Sequence, residues 1–426
     1  MEKDKKTQMR KHNMKLFPIC KSLGWDYIFF YTTNFLFLTQ VKNISPADVV
    51  LIESFYALFG IIMQVPGAFI IEYIGRKKSI VFANILNCMY ILMIIFSNNL
   101  FNLIIAEILS SLAFGIKDSA EPAILNESIP PSRYKSKIFS RISAKGASGY
   151  YILNSISKII AGFFYDINPY IPITLSLTIT IIVTLLSVGF IEPQKNTKIK
   201  EIKEFNQIKE LKDSLKFTLK SERLKSLILF DSVVVGIISV LATYEISLLE
   251  ELNISAKYLC TIFAILGIVS GILAKKQEKF HNKYKNKSLS ILIGVIGLTI
   301  IAAGISGLIS RQYRIFIAVI IIAYIIKYAY DSIYQQLIEK YLRNFANEKI
   351  DTKIFVIKNF LGSIQSAFIG IIASFLLDRM NTAYCMMILG ISTLLFTIVM
   401  NKYMKTRVGL KPEEYSKEEI KYDELN

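Results

Sequence analysis

Apolar runs long enough to cross a bilayer recur along almost the whole chain, separated by short polar or basic interruptions. A bilayer core of about 30 Å takes roughly 20 predominantly apolar residues in a helix. Helices in lipid satisfy their own backbone, which makes hydropathy a dependable guide. The pattern predicts an all-α polytopic protein with twelve spans at about 16–41, 47–72, 79–97, 100–124, 138–164, 169–191, 224–249, 256–274, 288–309, 314–340, 353–377 and 382–404. The longest polar interruption falls between the sixth and seventh. It divides the chain into an N-terminal six-helix half (1–191), a basic cytoplasmic linker (192–223), a C-terminal six-helix half (224–404) and a cytoplasmic tail (405–426).

Composition agrees: 53% of the 426 residues are hydrophobic, too many for a soluble protein of this length. The net charge of +17 does not point to nucleic acid, because the basic residues lie in short tracts between apolar runs. With the N-terminus inside, the external turns hold only Lys42, Lys257, Arg311, Arg314 and Arg379 of the 50 Lys and Arg. That asymmetry predicts both termini on the cytoplasmic side. In the linker, Ile208, Leu211 and Leu215 recur at helical spacing among lysines, which fits an amphipathic segment on the inner leaflet or a solvated connection. The four cysteines are isolated and imply no disulfide framework or metal site. The basic N-terminus has no small-residue cleavage site behind a short apolar core, so no removable leader is expected.

Charges inside membrane helices are costly and usually face a cavity or a partner. Asp26 stands in the first span, Glu107, Lys117, Asp118 and Glu121 in the fourth, Asp231 and Glu245 in the seventh, Lys327 and Asp331 in the tenth. Glu53, Lys158 and Lys358 lie in the second, fifth and eleventh. Glu107 and Asp118 are about three helical turns apart and share a polar stripe with Ser111. Lys117 with Glu121, and Lys327 with Asp331, stand one turn apart and can pair within a helix. The competing reading, snorkelling from a helix end, suits Glu121, Lys358 and Glu245. Asp26, Glu107 and Lys327 are better placed for a cavity. The two histidines, His12 and His281, fall in cytoplasmic segments, so a proton path within the membrane must use carboxylates. No phosphate-binding Gly-rich loop, Ser/His/Asp set or metal-ligand cluster occurs, which argues against an enzyme and against a cofactor. Gly267 and Gly271 have the spacing of a close helix approach.

Between the second and third spans the chain reads "PGAFIIEYIGRKKS". Here Ala68, Glu72, Gly75, Arg76 and Lys77 resemble the Gly-x-x-x-Asp-x-x-Gly-Arg-Lys/Arg motif of the major facilitator superfamily, with Ala68 in place of the first glycine and Glu72 in place of the aspartate. The six-loop-six layout resembles that family too. The fourth span, "AEILSSLAFGIKDSAEPAILNES", is similar to bacterial drug-exporter-type members at Glu107, Glu121, Ala123 and Glu127, and Glu192 with Pro193 closes the sixth span in the same manner. Three features depart from the drug/proton antiporters: an acid at Glu107 where many carry arginine, Gln64 in the second span, and a fifth span that keeps only Gly146, Gly149 and Gly162 of a glycine-rich motif.

The resemblance implies a secondary active transporter of a bacterial plasma membrane that works by alternating access. Its first, fourth, seventh and tenth spans would line a central cavity holding Asp26, Glu107, Asp118, Asp231, Lys327 and Asp331. Glu72, Arg76 and Lys77 would hold the inner gate. The expected function is proton-coupled efflux of a hydrophobic or amphiphilic small molecule. The alternative is proton-coupled uptake of a nutrient or organic anion, which the four lysines inside spans favour. A non-transporting sensor or enzyme ranks third. The expected partners are a small-molecule substrate, protons as coupling ion and the lipid bilayer, with the protein a monomer.

Overall fold

The computed structural model describes residues 2–192, 215–216, 218–219, 221–345 and 351–405, and no strand occurs among them. Most of the linker, including Ile208 and Leu211, and the tail from 406 on therefore lie outside the described residues. The helices are α1 (Glu2–Gly24), α2 (Pro46–Ile62), α3 (Gln64–Ile74), α4 (Arg76–Phe96), α5 (Leu100–Ser128), α6 (Lys135–Ile167) and α7 (Tyr170–Val188). They continue with α8 (Glu222–Glu251), α9 (Ala256–Ala274), α10 (Gln277–Tyr284), α11 (Ser288–Ser310), α12 (Phe316–Phe345), α13 (Asp351–Leu377) and α14 (Thr382–Lys405).

Nine of the described helices are long and apolar enough to cross a membrane unaided. A tenth span is the bent pair α2–α3, which turns by 52°. Pro66 lies just past this bend; its ring denies the preceding turn a backbone donor and crowds the carbonyl behind it. The fifth span, α6, is long but rich in Lys, Ser and Gly. The first departs furthest from expectation. Instead of one helix over 16–41, α1 ends at Gly24, residues 25–33 run as turns, and a short helix (Asn34–Leu36) passes into a π-helical turn (Phe37–Val41). The twelve-span, all-α architecture stands, with its first member broken.

Local chemistry sets several starts. Ser45 caps α2, its hydroxyl accepting from the Asp48 N–H at 3.1 Å, with Pro46 at the first helical position. Asn99 caps α5 through the Asn102 N–H at 2.8 Å. Gly75 joins α3 to α4 with φ of +88°, a conformation that a side chain would strain.

Two compact units result. The first holds α1–α7 together with residues 254–264 at the start of α9. Its apolar core is built by Phe17 of α1, Ile80 of α4, Ile116 and Ile124 of α5, and Phe190 after α7. In the second unit α11 packs closely on α14. A Cβ on Gly304 would stand 2.7 Å from the Ala383 carbonyl oxygen, and one on Gly390 would stand 2.9 Å from that of Gly297. By contrast Gly267 and Gly271 face open space, so their spacing does not mark a close approach. The glycines of α6 do: Gly146 packs on Lys21 and Gly149 on Ser22.

Candidate functional site

In the first unit the break in the opening span gathers the polar groups. Unwound backbone at membrane depth is tolerated where protein covers it or where it lines a cavity. Here the turns are closed by Phe30 N–H to the Tyr27 carbonyl at 3.2 Å and Thr33 N–H to the Phe30 carbonyl at 2.9 Å. The Lys117 ammonium donates to the carbonyl of Gly24, one of those freed where α1 stops. Lys117 also stands 3.9 Å from Glu121, the expected one-turn pair. Asp26 sits in the break, accepting from its neighbour's N–H at 2.7 Å and from the Tyr150 hydroxyl at 3.2 Å.

Tyr27 points the other way, donating to Asn87 Oδ1 at 2.8 Å, with Ser110 Oγ at 2.9 Å. Its ring stacks on Tyr90 at 4.7 Å between centroids. Tyr90 in turn donates to Glu107 Oε1 at 3.2 Å. Glu107 is 6% exposed, and among the described residues no basic side chain lies within ion-pair distance of it. The expected stripe of Glu107, Ser111 and Asp118 divides. Glu107 and Ser111 are buried, Ser111 donating to the Tyr56 carbonyl at 3.3 Å, while Asp118 is exposed.

In the charged turn of the first unit two acids beyond the expected motif join Arg76 and Lys77. The Arg76 guanidinium pairs with Glu127 at the end of α5. The Glu192 carboxylate accepts from the backbone N–H groups of Arg76 at 3.0 Å and Lys77 at 2.7 Å. An acid across the start of α4 satisfies two donors that have no partner within the helix and meets the positive end of its dipole. A Cβ on Gly75 would lie 3.2 Å from that carboxylate, so the glycine serves both the turn and the approach. Glu72 and Tyr73 are exposed on the last turn of α3, and Ala68 lies on the same helix.

The second unit buries two acid–lysine pairs. Lys327 of α12 stands 3.3 Å from Glu245 of α8, the side chains 4% and 1% exposed. Lys358 of α13 stands 3.5 Å from Asp231 of α8, which also accepts from the Tyr334 hydroxyl at 2.9 Å. Both correct the sequence expectation. Glu245 and Lys358 are not snorkelling helix-end residues, and Lys327 pairs across helices instead of with Asp331. The partner is set by the facing helix: Glu245 of α8 lies within ion-pair distance of the Lys327 ammonium. Asp331 accepts from Gln335 at 3.3 Å instead. At the other end of α8, Glu251 accepts from the Thr382 N–H at 3.0 Å and pairs with Arg311 at 3.0 Å.

Of the residues expected in the site, Asp26 and Glu107 join one network region in the first unit, while Asp231 and Lys327 enter separate pairs in the second. Sequence reasoning missed the tyrosines that hold the acids and the break that carries Asp26. Gly24 and the run Thr32-Thr33-Asn34 are its only local signals, since these residue types favour turns and caps over helix interiors.

The family model for the Major Facilitator Superfamily matches residues 22–347. A curated relative, the uncharacterized MFS-type transporter YxaM of Bacillus subtilis (strain 168), is 23% identical over 251 residues, 57% of this chain; the match spans 61% of that relative's length. Among solved structures, the nucleoside transporter NupG (D323A mutant) superposes with a TM-score of 0.70 at 10% identity, covering 94% of this chain and 100% of its own. A bacterial homologue of the human lysosomal transporter Spinster gives 0.68 at 13%, covering 95% and 99%. A D-xylose–proton symporter gives 0.62 at 14%, covering 95% and 98%.

Proposed function

The chain belongs to the major facilitator superfamily, a superfamily of membrane transporters, and from that premise we propose that it is a proton-coupled secondary transporter of a small organic molecule, working by alternating access. It is a multi-pass membrane protein rather than an enzyme. The observation that carries proton coupling is Glu107. It is buried, held by Tyr90, whose ring stacks on Tyr27, and has no basic partner within ion-pair distance among the described residues. Every other strongly buried acid of the described spans, Asp231 and Glu245, faces a lysine. Glu107 can therefore take up and release a proton without breaking an ion pair, and burying a lone carboxylate is costly enough to tie its charge to conformation. Asp26, in the broken segment, is the second candidate, with Asp118 a further candidate of the first unit and Lys327, Asp231 and Asp331 those of the second. Arg76, Glu127 and Glu192 act as the latch on the inner side, joined by Lys77 and Glu72. The protein works as a monomer in a bacterial plasma membrane with both termini in the cytoplasm.

Export of a hydrophobic compound rests on the resemblance of the fourth span. Uptake of an anionic or zwitterionic solute draws support from lysines placed inside spans, and it is the reading favoured here. The test is transport in proteoliposomes under an imposed pH gradient, with a panel of radiolabelled solutes. Glu107→Gln is expected to abolish gradient-driven accumulation while leaving exchange of solute across the membrane intact. Full gradient-driven accumulation in that variant would remove Glu107 from the coupling role.

A further inference from the structure

Four lysines stand inside spans, and an ammonium buried in a membrane protein needs a balancing partner. Three have one. Lys327 has Glu245 at 3.3 Å, Lys358 has Asp231 at 3.5 Å, and Lys117 has Glu121 at 3.9 Å besides the Gly24 carbonyl. The fourth, Lys158 of α6, has no carboxylate within 4 Å among the described residues. It is half-buried and stands about 13 Å of helix rise from the outer end of α6. Asp26 is within electrostatic reach of it but beyond ion-pair distance.

The surroundings say what could complete the charge. Tyr150, Asn154 and Lys158 follow at one-turn intervals along α6, so they lie on neighbouring faces about 12 Å from first to last. Tyr150 donates to Asp26 and tilts against Trp25 at 5.2 Å between centroids. Tyr151 meets the same indole at 5.8 Å. Trp25 and Tyr151 are both exposed, while Tyr150 is buried and the Lys21 ammonium stands 4.6 Å from the indole centroid, so the open part of this aromatic wall is Trp25 and Tyr151. At one end of the stretch are three aromatic rings tilted by 36–60° to one another, and at the other an ammonium with no carboxylate in ion-pair distance among the described residues.

We infer that Lys158 and the Trp25–Tyr150–Tyr151 wall form a binding site for an organic anion with a planar apolar body, the carboxylate on Lys158 and the ring along the wall. The inference rests on the transporter reading above and gives its substrate class. A proton on Asp26 and an anion on Lys158 satisfy both groups together, and so move in one direction.

Trp25 is the single tryptophan of the chain, so its emission reports on this site alone. The full-length protein in lipid nanodiscs is titrated with benzoate, phenylacetate and cyclohexanecarboxylate, and with benzamide and benzylamine as neutral and cationic counterparts. The expected result is a saturable change with the carboxylates, the two aromatic ones binding more tightly. Lys158→Gln should weaken it by about tenfold or more, as for loss of a charge-assisted bond, and Lys158→Arg should largely keep it. The comparison of benzoate with benzamide and benzylamine on the unaltered protein needs no variant, so it decides even if Lys158→Gln fails to fold. Carboxylates that give no saturable change, an amine that binds as tightly, or a folded Lys158→Gln protein with unaltered affinity would each overturn the site. Proteoliposome transport of the same five compounds separates the two readings. Gradient-driven movement of benzamide or benzylamine alone leaves a transporter without an anion site, whereas benzoate bound but moved by no gradient leaves the site and removes proton-coupled transport.

Discussion

Lys327 and Glu245 show how far single residues can be read. A lysine and a glutamate inside apolar runs are conspicuous in the sequence, because each is costly to bury alone. Which acid meets which base is not visible there, since it depends on which faces of α8 and α12 come together. The pair is nearly inaccessible, with exposures of 4% and 1%. Removing one partner leaves an uncompensated charge, a loss of about 3–5 kcal/mol, whereas replacing both with apolar residues is often neutral. Lys327→Met and Glu245→Leu should thus each lower the unfolding midpoint in detergent, and the double variant should recover most of the loss. Additive losses in the double variant would mean that the two side chains are stabilised independently. Asp231, Tyr334 and Lys358 form the corresponding set toward α13, which makes α8 the element through which this unit handles its buried charge.

Elements were legible where hydrophobicity alone specifies them, as along α11 and α14, and illegible where a helix stops inside the membrane. The first span reads as continuous because its aromatic residues keep the run apolar through the break at 25–33. Close approach is decided at the level of facing helices. Gly304 lies against the backbone of α14, so Gly304→Val should destabilise the protein by roughly 1–3 kcal/mol through overpacking. Gly267→Val, facing open space, should be tolerated; equal thermal shifts for the two would contradict the packing described. The connecting helix α10 offers a pH test. His281 Nδ1 lies 2.6 Å from the Tyr341 hydroxyl, and burial, with Lys340 nearby, lowers its pKa from the ordinary value. A base held below its unfolded pKa favours the folded state when neutral. Docking of α10 is then complete above about pH 6.5 and weakens as the pH falls through the imidazole range. Hydrogen exchange over 277–284, corrected for intrinsic rates, should rise at pH 5 relative to pH 7.5, and His281→Phe should remove most of that difference.

At the scale of the whole molecule, membrane-spanning helices in both units and acids both paired and unpaired suit a carrier that changes state once per cycle. Direction is a property of the intact protein in an oriented membrane. Energised right-side-out vesicles should accumulate benzoate if proton and anion move inward together; accumulation confined to inside-out vesicles would instead support export. The sequence by itself determined the helical class, the number of spans and the charged turn at Gly75–Arg76–Lys77, because a bilayer admits few backbone solutions and hydropathy reports them directly. Only the tertiary structure decided that the first span breaks at Gly24, that Glu192 and Glu127 hold the charged turn, and that Lys158, unlike its three counterparts, has no carboxylate within 4 Å among the described residues. Those outcomes depend on which helix faces meet, and hydrophobic periodicity carries no record of a partner on another helix.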